Sequence, residues 1–335
     1  MRVVSTSSGP RPEADRGAGP PTRPVRMPRR GLSGQAPAPD GVVQRTWRRV
    51  TAPRPPVPQG AVVLRGKPRA VVHHRQKPTL FRRRLAVVYD TSGPRVTLGV
   101  LWFLLVVGAL AVGPGALVPL YAAMAALAGF QTASAWRAVG SKADRWVAAL
   151  AAGAVAAGAA WGVGSLGLAI LGAVVVTLAV AALETRTLRG VLDAAGTTLL
   201  SALPVGIGAA GVILTLRLEI GAAVTIVVLV AAYEVGDYIV GSGASSSVEG
   251  PIAGIVAIAA MCMVVAVLRV PPFDGASVFV FGGFAALGCP LGQVLASALL
   301  PSVDARAPAL RRLDSLLVLG PAWALLVGIL MQRVL

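Results

Sequence analysis

Charge is scarce in this chain. Only 13% of its 335 residues are Asp, Glu, Lys or Arg, against about 25% in a soluble globular domain. Cysteine and histidine are scarcer still, at two each. Two cysteines exclude a disulfide scaffold and a zinc site built from several Cys. Aromatics make up 5%, while 55% of the residues are hydrophobic and the mean hydropathy is +0.73. That balance excludes an ordinary soluble domain and predicts several membrane spans.

What charge there is sits mostly at one end. The chain carries 31 Lys and Arg against 14 acids, a formal net charge of +17. Residues 1–96 hold 20 of those cations and 4 acids, whereas residues 97–335 hold 11 and 10. The high pI therefore belongs to a tail and does not mark a nucleic-acid-binding domain. Residues 1–94 read as a disordered, Pro- and Arg-rich cytoplasmic tail, because PRPEADRGAGPPTRP and TAPRPPVPQG break any apolar period. No apolar core follows the basic start, so no signal peptide is expected. His73 and His74 read as solvated tail residues. Arg82, Arg83, Arg84 and Arg95 form a juxtamembrane cluster. It reads as a topology signal that can also meet anionic lipid headgroups.

Residues 95–335 read as an all-α, polytopic membrane helix bundle. Nine apolar segments lie near 97–113, 116–135, 146–163, 165–183, 196–215, 219–240, 250–268, 276–299 and 315–332. Each approaches the roughly 20 residues that cross a bilayer, the first being short. Glycine and alanine recur inside them, as in GAVAAGAAWG and GIGAAG, and read as close helix packing in lipid. With the tail inside, inner loops carry Arg137, Lys142, Arg145, Arg186, Arg189, Arg306, Arg311 and Arg312, while outer segments carry Arg217, Arg269 and Arg333. This asymmetry predicts a cytoplasmic N-terminus. Arg-over-Lys usage with abundant Ala, Gly and Val resembles high-GC bacterial coding, so the expected location is the cell inner (plasma) membrane, multi-pass. Trp102, Trp136, Trp146 and Trp323 read as interfacial anchors, Cys262 and Cys289 as inert buried residues, and Pro204 and Pro290 as kinks.

An ionisable group within the membrane is a functional candidate by default. Segment six ends YEVGDYIVG, which puts Glu234 and Asp237 three residues apart on one helix face. Tyr238 follows, and GSGASSSVEG then leads to Glu249, with Ser247 placed to cap the next helix. The last inner loop, PSVDARAPALRRLDS, holds Asp304, Arg306, Arg311, Arg312 and Asp314. If segments six to nine pack together, these groups converge at one inward-facing site. Carboxylates there would suit a hard divalent cation, and arginines would suit phosphate.

The order of these pieces resembles the integral-membrane phosphatidate cytidylyltransferases, or CDP-diacylglycerol synthases, over roughly residues 95–335 and best after 225. YEVGDYIVG resembles that family's Asp-x-Gly-Ala-Tyr-x-x-Gly stretch, with Glu234 at the Asp position, Asp237 in place of Ala, and Gly236, Tyr238 and Gly241 retained. GASSSVEG resembles its Ser-Pro-x-Lys-Thr-x-Glu-Gly loop, with Glu249 and Gly250 kept, Ser247 at the Thr and Ser246 at the Lys. LGQVLASALLP keeps Gly292 and Ser297 but has Gln293 where the family has Asp, and Leu300 and Pro301 replace a Lys-Arg pair. RRLDSLL resembles the closing Asp-Arg-x-Asp-Ser, keeping Arg312, Asp314 and Ser315 with Arg311 at the first Asp. Gln131 lies near an early family Glu, and the Gly-His-Gly-Gly turn is absent.

The resemblance implies a reaction in phospholipid metabolism: CTP and phosphatidate give CDP-diacylglycerol and pyrophosphate. It implies Mg²⁺ as cofactor, held by Glu234, Asp237 and Asp314. Asp314, Arg312 and Glu249 would be catalytic, and Ser247, Tyr238, Arg311 and Ser297 would bind substrate. The implied partners are CTP, membrane lipids including phosphatidate, and anionic headgroups at the tail. No nucleic acid is expected, and a homodimer is compatible with the sequence. The departures at Gln293, Arg311 and Ser246 pull the other way, because Gln binds Mg²⁺ weakly and Arg repels it. Three readings follow: a cytidylyltransferase with a rearranged site, a catalytically inactive lipid-binding or scaffold relative, and an ion-coupled transporter.

Overall fold

The computed structural model describes residues 94–242, 246, 248–302 and 305–334. The tail expected over 1–94 lies almost wholly outside them, as do Ser247 and Asp304. The described residues form helices and short connections, with no strand among them. The helices are α1 (Pro94–Val112), α2 (Pro114–Ala138), α3 (Arg145–Gly158, continued by a 3-10 turn at Ala159–Trp161), α4 (Val163–Glu184) and α5 (Leu188–Leu218), followed by α6 (Ile220–Gly241), α7 (Glu249–Leu268), α8 (Ser277–Ala298), the short α9 (Leu310–Leu313) and α10 (Leu316–Val334).

The nine expected segments fall on α1–α8 and α10. Among the described residues, seven stretches are long and apolar enough to cross a membrane: α2, α4, α5, α6, α7, α8 and Leu310–Gln332. Thr97–Val112 and Arg145–Trp161 are apolar but shorter. The chain is thus an all-α, multi-pass membrane protein. α4 and α7 leave large apolar side chains such as Leu168, Val175, Val256 and Met263 exposed, a surface that belongs in lipid.

Two glycines sit at single-residue breaks between helical segments. Gly113 (φ 97°) separates α1 from α2, and Gly162 (φ 108°) separates the 3-10 turn from α4. Both lie in the left-handed region that glycine enters without steric cost. Connections this short make successive helices run antiparallel. The C-terminal ends of α2, α4, α6 and α8 therefore share the end of the bundle where α1, α3, α5, α7 and α9 begin. We call this end proximal.

The longest helix, α5, is the hub and packs on α2, α3, α4, α6 and α10. Glycines let its backbone approach its neighbours. A Cβ at Gly206 would meet Val155 at 3.0 Å, one at Gly208 would meet Leu316 and Leu317 at 3.1 Å, and one at Gly211 would overlap the Gly320 backbone. The small residues of GAVAAGAAWG and GIGAAG thus pack helix on helix, which is how membrane interiors gain van der Waals contact.

The tryptophans divide. Trp102 is partly buried edge-on to Tyr121, with centroids 5.9 Å apart. Trp136 donates its indole N–H to the Leu299 carbonyl at 2.8 Å, and Trp146 is 63% exposed. The expected anchoring role fails for Trp323, which is 0% exposed. α10 begins at Leu316, so residue 323 lies two turns inside. There its N–H reaches the Ala222 carbonyl at 3.2 Å, and its ring packs on Phe273 and Phe281. Cys262 and Cys289 are buried, as expected. Pro204 and Pro290 lie inside the uninterrupted helices α5 and α8. Asp274 is a turn residue whose carboxyl Ser277 holds below its usual range through a side-chain hydrogen bond.

At the start of α3, the Asp144 carboxylate accepts from the backbone N–H groups of Trp146 and Val147. We expect Asp144→Ala to cost about 1 kcal/mol, as loss of an N-cap does. A melting temperature in detergent that does not fall would show that the cap is redundant.

Candidate functional site

α6 carries three polar positions on its last turns. Tyr233 and Asp237 are four apart and share a face, with Glu234 beside them. Both Tyr233 and Asp237 are buried, Asp237 to 5% exposure, and Glu234 is partly buried. Counting 1.5 Å per residue back from Gly241, Asp237 lies about 6 Å and Glu234 about 10 Å from the proximal end.

α8 meets this face with Gln293. Its amide oxygen accepts from the Tyr233 hydroxyl at 3.0 Å, and its amide nitrogen donates to the Asp237 carboxylate at 3.1 Å. One turn on, the Ser297 hydroxyl donates to the Gln293 carbonyl at 3.0 Å and accepts from an Arg311 guanidinium N–H at 3.1 Å. Gly292 allows this approach, because a Cβ there would overlap the Asp314 carbonyl.

The junction of α9 and α10 supplies the rest. Asp314 is 6% exposed, and its carboxylate accepts from the Ser315 backbone N–H at 2.7 Å. Its charge interacts with those of Arg311 and Asp237. Glu234 lies within electrostatic reach of Asp314, Arg312 and Asp237. Arg312 also packs against α1, its guanidinium 3.1 Å from where a Cβ on Gly99 would sit. α2 closes the group with Tyr121, which feels the charge of Glu234, and with Gln131, whose side-chain oxygen accepts from the Ala309 backbone N–H at 2.9 Å. Together with the Trp136–Leu299 bond, this pins the α8–α9 connection to α2.

The expected convergence of α6, α8 and the α9–α10 junction is therefore present. It brings together Glu234, Asp237, Gln293, Ser297, Arg311, Arg312 and Asp314. Tyr238 is partly buried but turned about 100° from Asp237 on α6. Glu249 is exposed in the first turn of α7, where its charge suits the helix dipole. Ser247 lies outside the described residues. The cap position of α7 is Val248, with no side-chain cap; Ser246 accepts from the Val248 N–H at 3.4 Å.

Sequence reasoning missed Tyr233 and Tyr121. The four-residue spacing of Tyr233 from Asp237 could have revealed the first. Tyr121 carries no such signal, because it comes from a distant helix.

The donors around these carboxylates decide whether a divalent cation suits them. Asp237 already accepts an amide N–H from Gln293. Asp314 caps Ser315 and faces the Arg311 guanidinium. Among the described residues, no group of three or more His, Cys, Asp or Glu is placed to hold a metal. Asp237 and Asp314 thus already accept protein N–H donors.

The chain matches no protein-family description, no curated protein and no solved structure.

Proposed function

We propose that this chain is a membrane protein on the plan of the CDP-diacylglycerol synthases that has exchanged metal-dependent nucleotidyl transfer for metal-independent binding of a lipid phosphate. On this reading the proximal end is cytoplasmic, following the positive-inside bias of its loops. The membrane is the cell inner membrane. The carrying observation is the bridge Tyr233–Gln293–Asp237, continued through Ser297 to Arg311. It puts an amide donor on Asp237, one of the carboxylates where the resemblance implies a cation.

Arg311 and Arg312 are partly exposed, while Asp237 and Asp314 are buried. The arginines are thus the more accessible layer, with the acids behind them. A planar guanidinium has several N–H donors, so the bond to Ser297 orients Arg311 without exhausting it. A monoester phosphate at the headgroup level suits that fork. Glu234 and Asp237 lie in the last two turns of α6 and not at its midpoint, which favours this reading over an ion-coupled transporter with a midplane site.

The test uses the full chain in nanodiscs containing labelled phosphatidate. Expected are binding that EDTA leaves unchanged, a loss of about tenfold in affinity in Arg311→Gln, equivalent to about 1.4 kcal/mol, and no pyrophosphate released with CTP and Mg²⁺. Mg²⁺-dependent turnover that disappears in Asp314→Asn would overturn the proposal and establish a cytidylyltransferase.

A further inference from the structure

A second feature lies on the outer side of α2 and α3, apart from the buried cluster. An open groove of about 420 Å³ is lined by Ala126, Trp146, Ala149, Gly153 and Ala157, among others. Residues 149, 153 and 157 recur every four positions, so they form one strip along α3. The floor is set by Gly153, where a Cβ would press on Ala126 at 3.2 Å and on the Ala122 carbonyl at 3.3 Å.

The proximal end of this groove is electropositive. The Arg145 guanidinium lies 5.3 Å from the Phe130 ring centroid and 5.7 Å from that of Trp146. The two rings themselves are tilted by 58°, with centroids 4.8 Å apart. Aromatic faces hold a guanidinium by cation–π attraction, so Arg145 is fixed beside the groove. Arg137, in the last turn of α2, and Lys142, in the connection to α3, are exposed. The nearest acid, Asp144, is occupied in capping α3.

Length identifies the occupant. From Trp146 to Ala157 the groove runs about 16 Å along the helix. One leaflet of a hydrocarbon core about 30 Å thick is about 15 Å deep. A partner helix would need a face running the full thickness, whereas one acyl chain needs a single leaflet. We propose that this groove is a binding site for an anionic phospholipid in the proximal leaflet, with an acyl chain along α3 and its phosphate on Arg145. The site shares no residue with the buried cluster and does not depend on the reading given above.

The test is quenching of Trp146 fluorescence by lipids brominated on the acyl chain, with the Trp146 signal taken as the difference between the parent chain and Trp146→Phe. Full-length protein is reconstituted in vesicles carrying the brominated chain on either phosphatidylglycerol or phosphatidylcholine. Expected is quenching by the phosphatidylglycerol at least threefold stronger than by the phosphatidylcholine. Arg145→Gln removes that preference, and Ala154→Trp, which fills the groove, reduces quenching by both lipids. Equal quenching of Trp146 by the two lipids in the parent chain overturns the proposal, leaving ordinary annular lipid. So does efficient Ala154→Cys cross-linking between two copies, which assigns the groove to a second chain.

Discussion

Gly211→Leu is expected to separate α5 from α10 and to lower the melting temperature in detergent by about 10 °C. A Cβ at this position would overlap the carbonyl of Gly320 and lie 2.6 Å from the Pro321 nitrogen. The obstacle is backbone on both sides, so no side chain can swing away. Overpacking of a well-packed interior costs about 3 kcal/mol at such a site, and a domain of this size loses about 2–4 °C per kcal/mol. Gly196→Ala is the control on the same helix, because a Cβ at Gly196 meets nothing within 4 Å. It is expected to keep or slightly raise stability, as Ala favours helix over Gly. If Gly211→Leu melts with the parent chain, the α5–α10 contact is not closed as described.

Gln293→Asp is expected to convert a Mg²⁺-indifferent protein into a Mg²⁺-responsive one. The parent amide donates to Asp237 and accepts from Tyr233. An Asp at 293 would remove that donor and set a second carboxylate beside Asp237. An uncompensated charge in so buried a place costs about 3 kcal/mol. A divalent cation bridging the new pair would restore about 2.7 kcal/mol at a hundredfold excess over its Kd. Thermal shifts with and without Mg²⁺ read this directly, with Gln293→Leu as the variant that destabilises without rescue. A parent chain that gains as much from Mg²⁺ as Gln293→Asp would show that the unaltered site already takes the metal.

The helical architecture was legible because the apolar segments are long and their ends are marked by loop charges and glycines. Even the near-contiguous third and fourth segments separate where Gly162 takes a positive φ. Composition could not tell a full crossing from an apolar helix a few residues short, which is why α3 stands apart from the seven long spans. The convergence of Glu234, Asp237, Arg311, Arg312 and Asp314 was legible from topology alone, since alternating helices bring these positions to one end. Which atoms bond was not. Gln293 reads in sequence as a lost ligand, whereas in the fold it is the link between two helices. Glu249 reads as a member of the site, but it opens a helix and is exposed. Trp323 reads as a boundary residue from its type alone, since tryptophan favours interfaces, whereas the fold buries it against Phe273 and Phe281.

Arg145–Trp161 is 17 residues long, or about 25 Å of helix. Beside a hydrocarbon layer of about 30 Å, that flank of the bundle is hydrophobically mismatched. Thinning of the bilayer beside α3 relieves that mismatch, with a strain that shrinks as acyl chains shorten. Bilayer thickness thereby becomes a variable to which this protein responds: short-chain membranes relieve the deformation and long-chain ones deepen it.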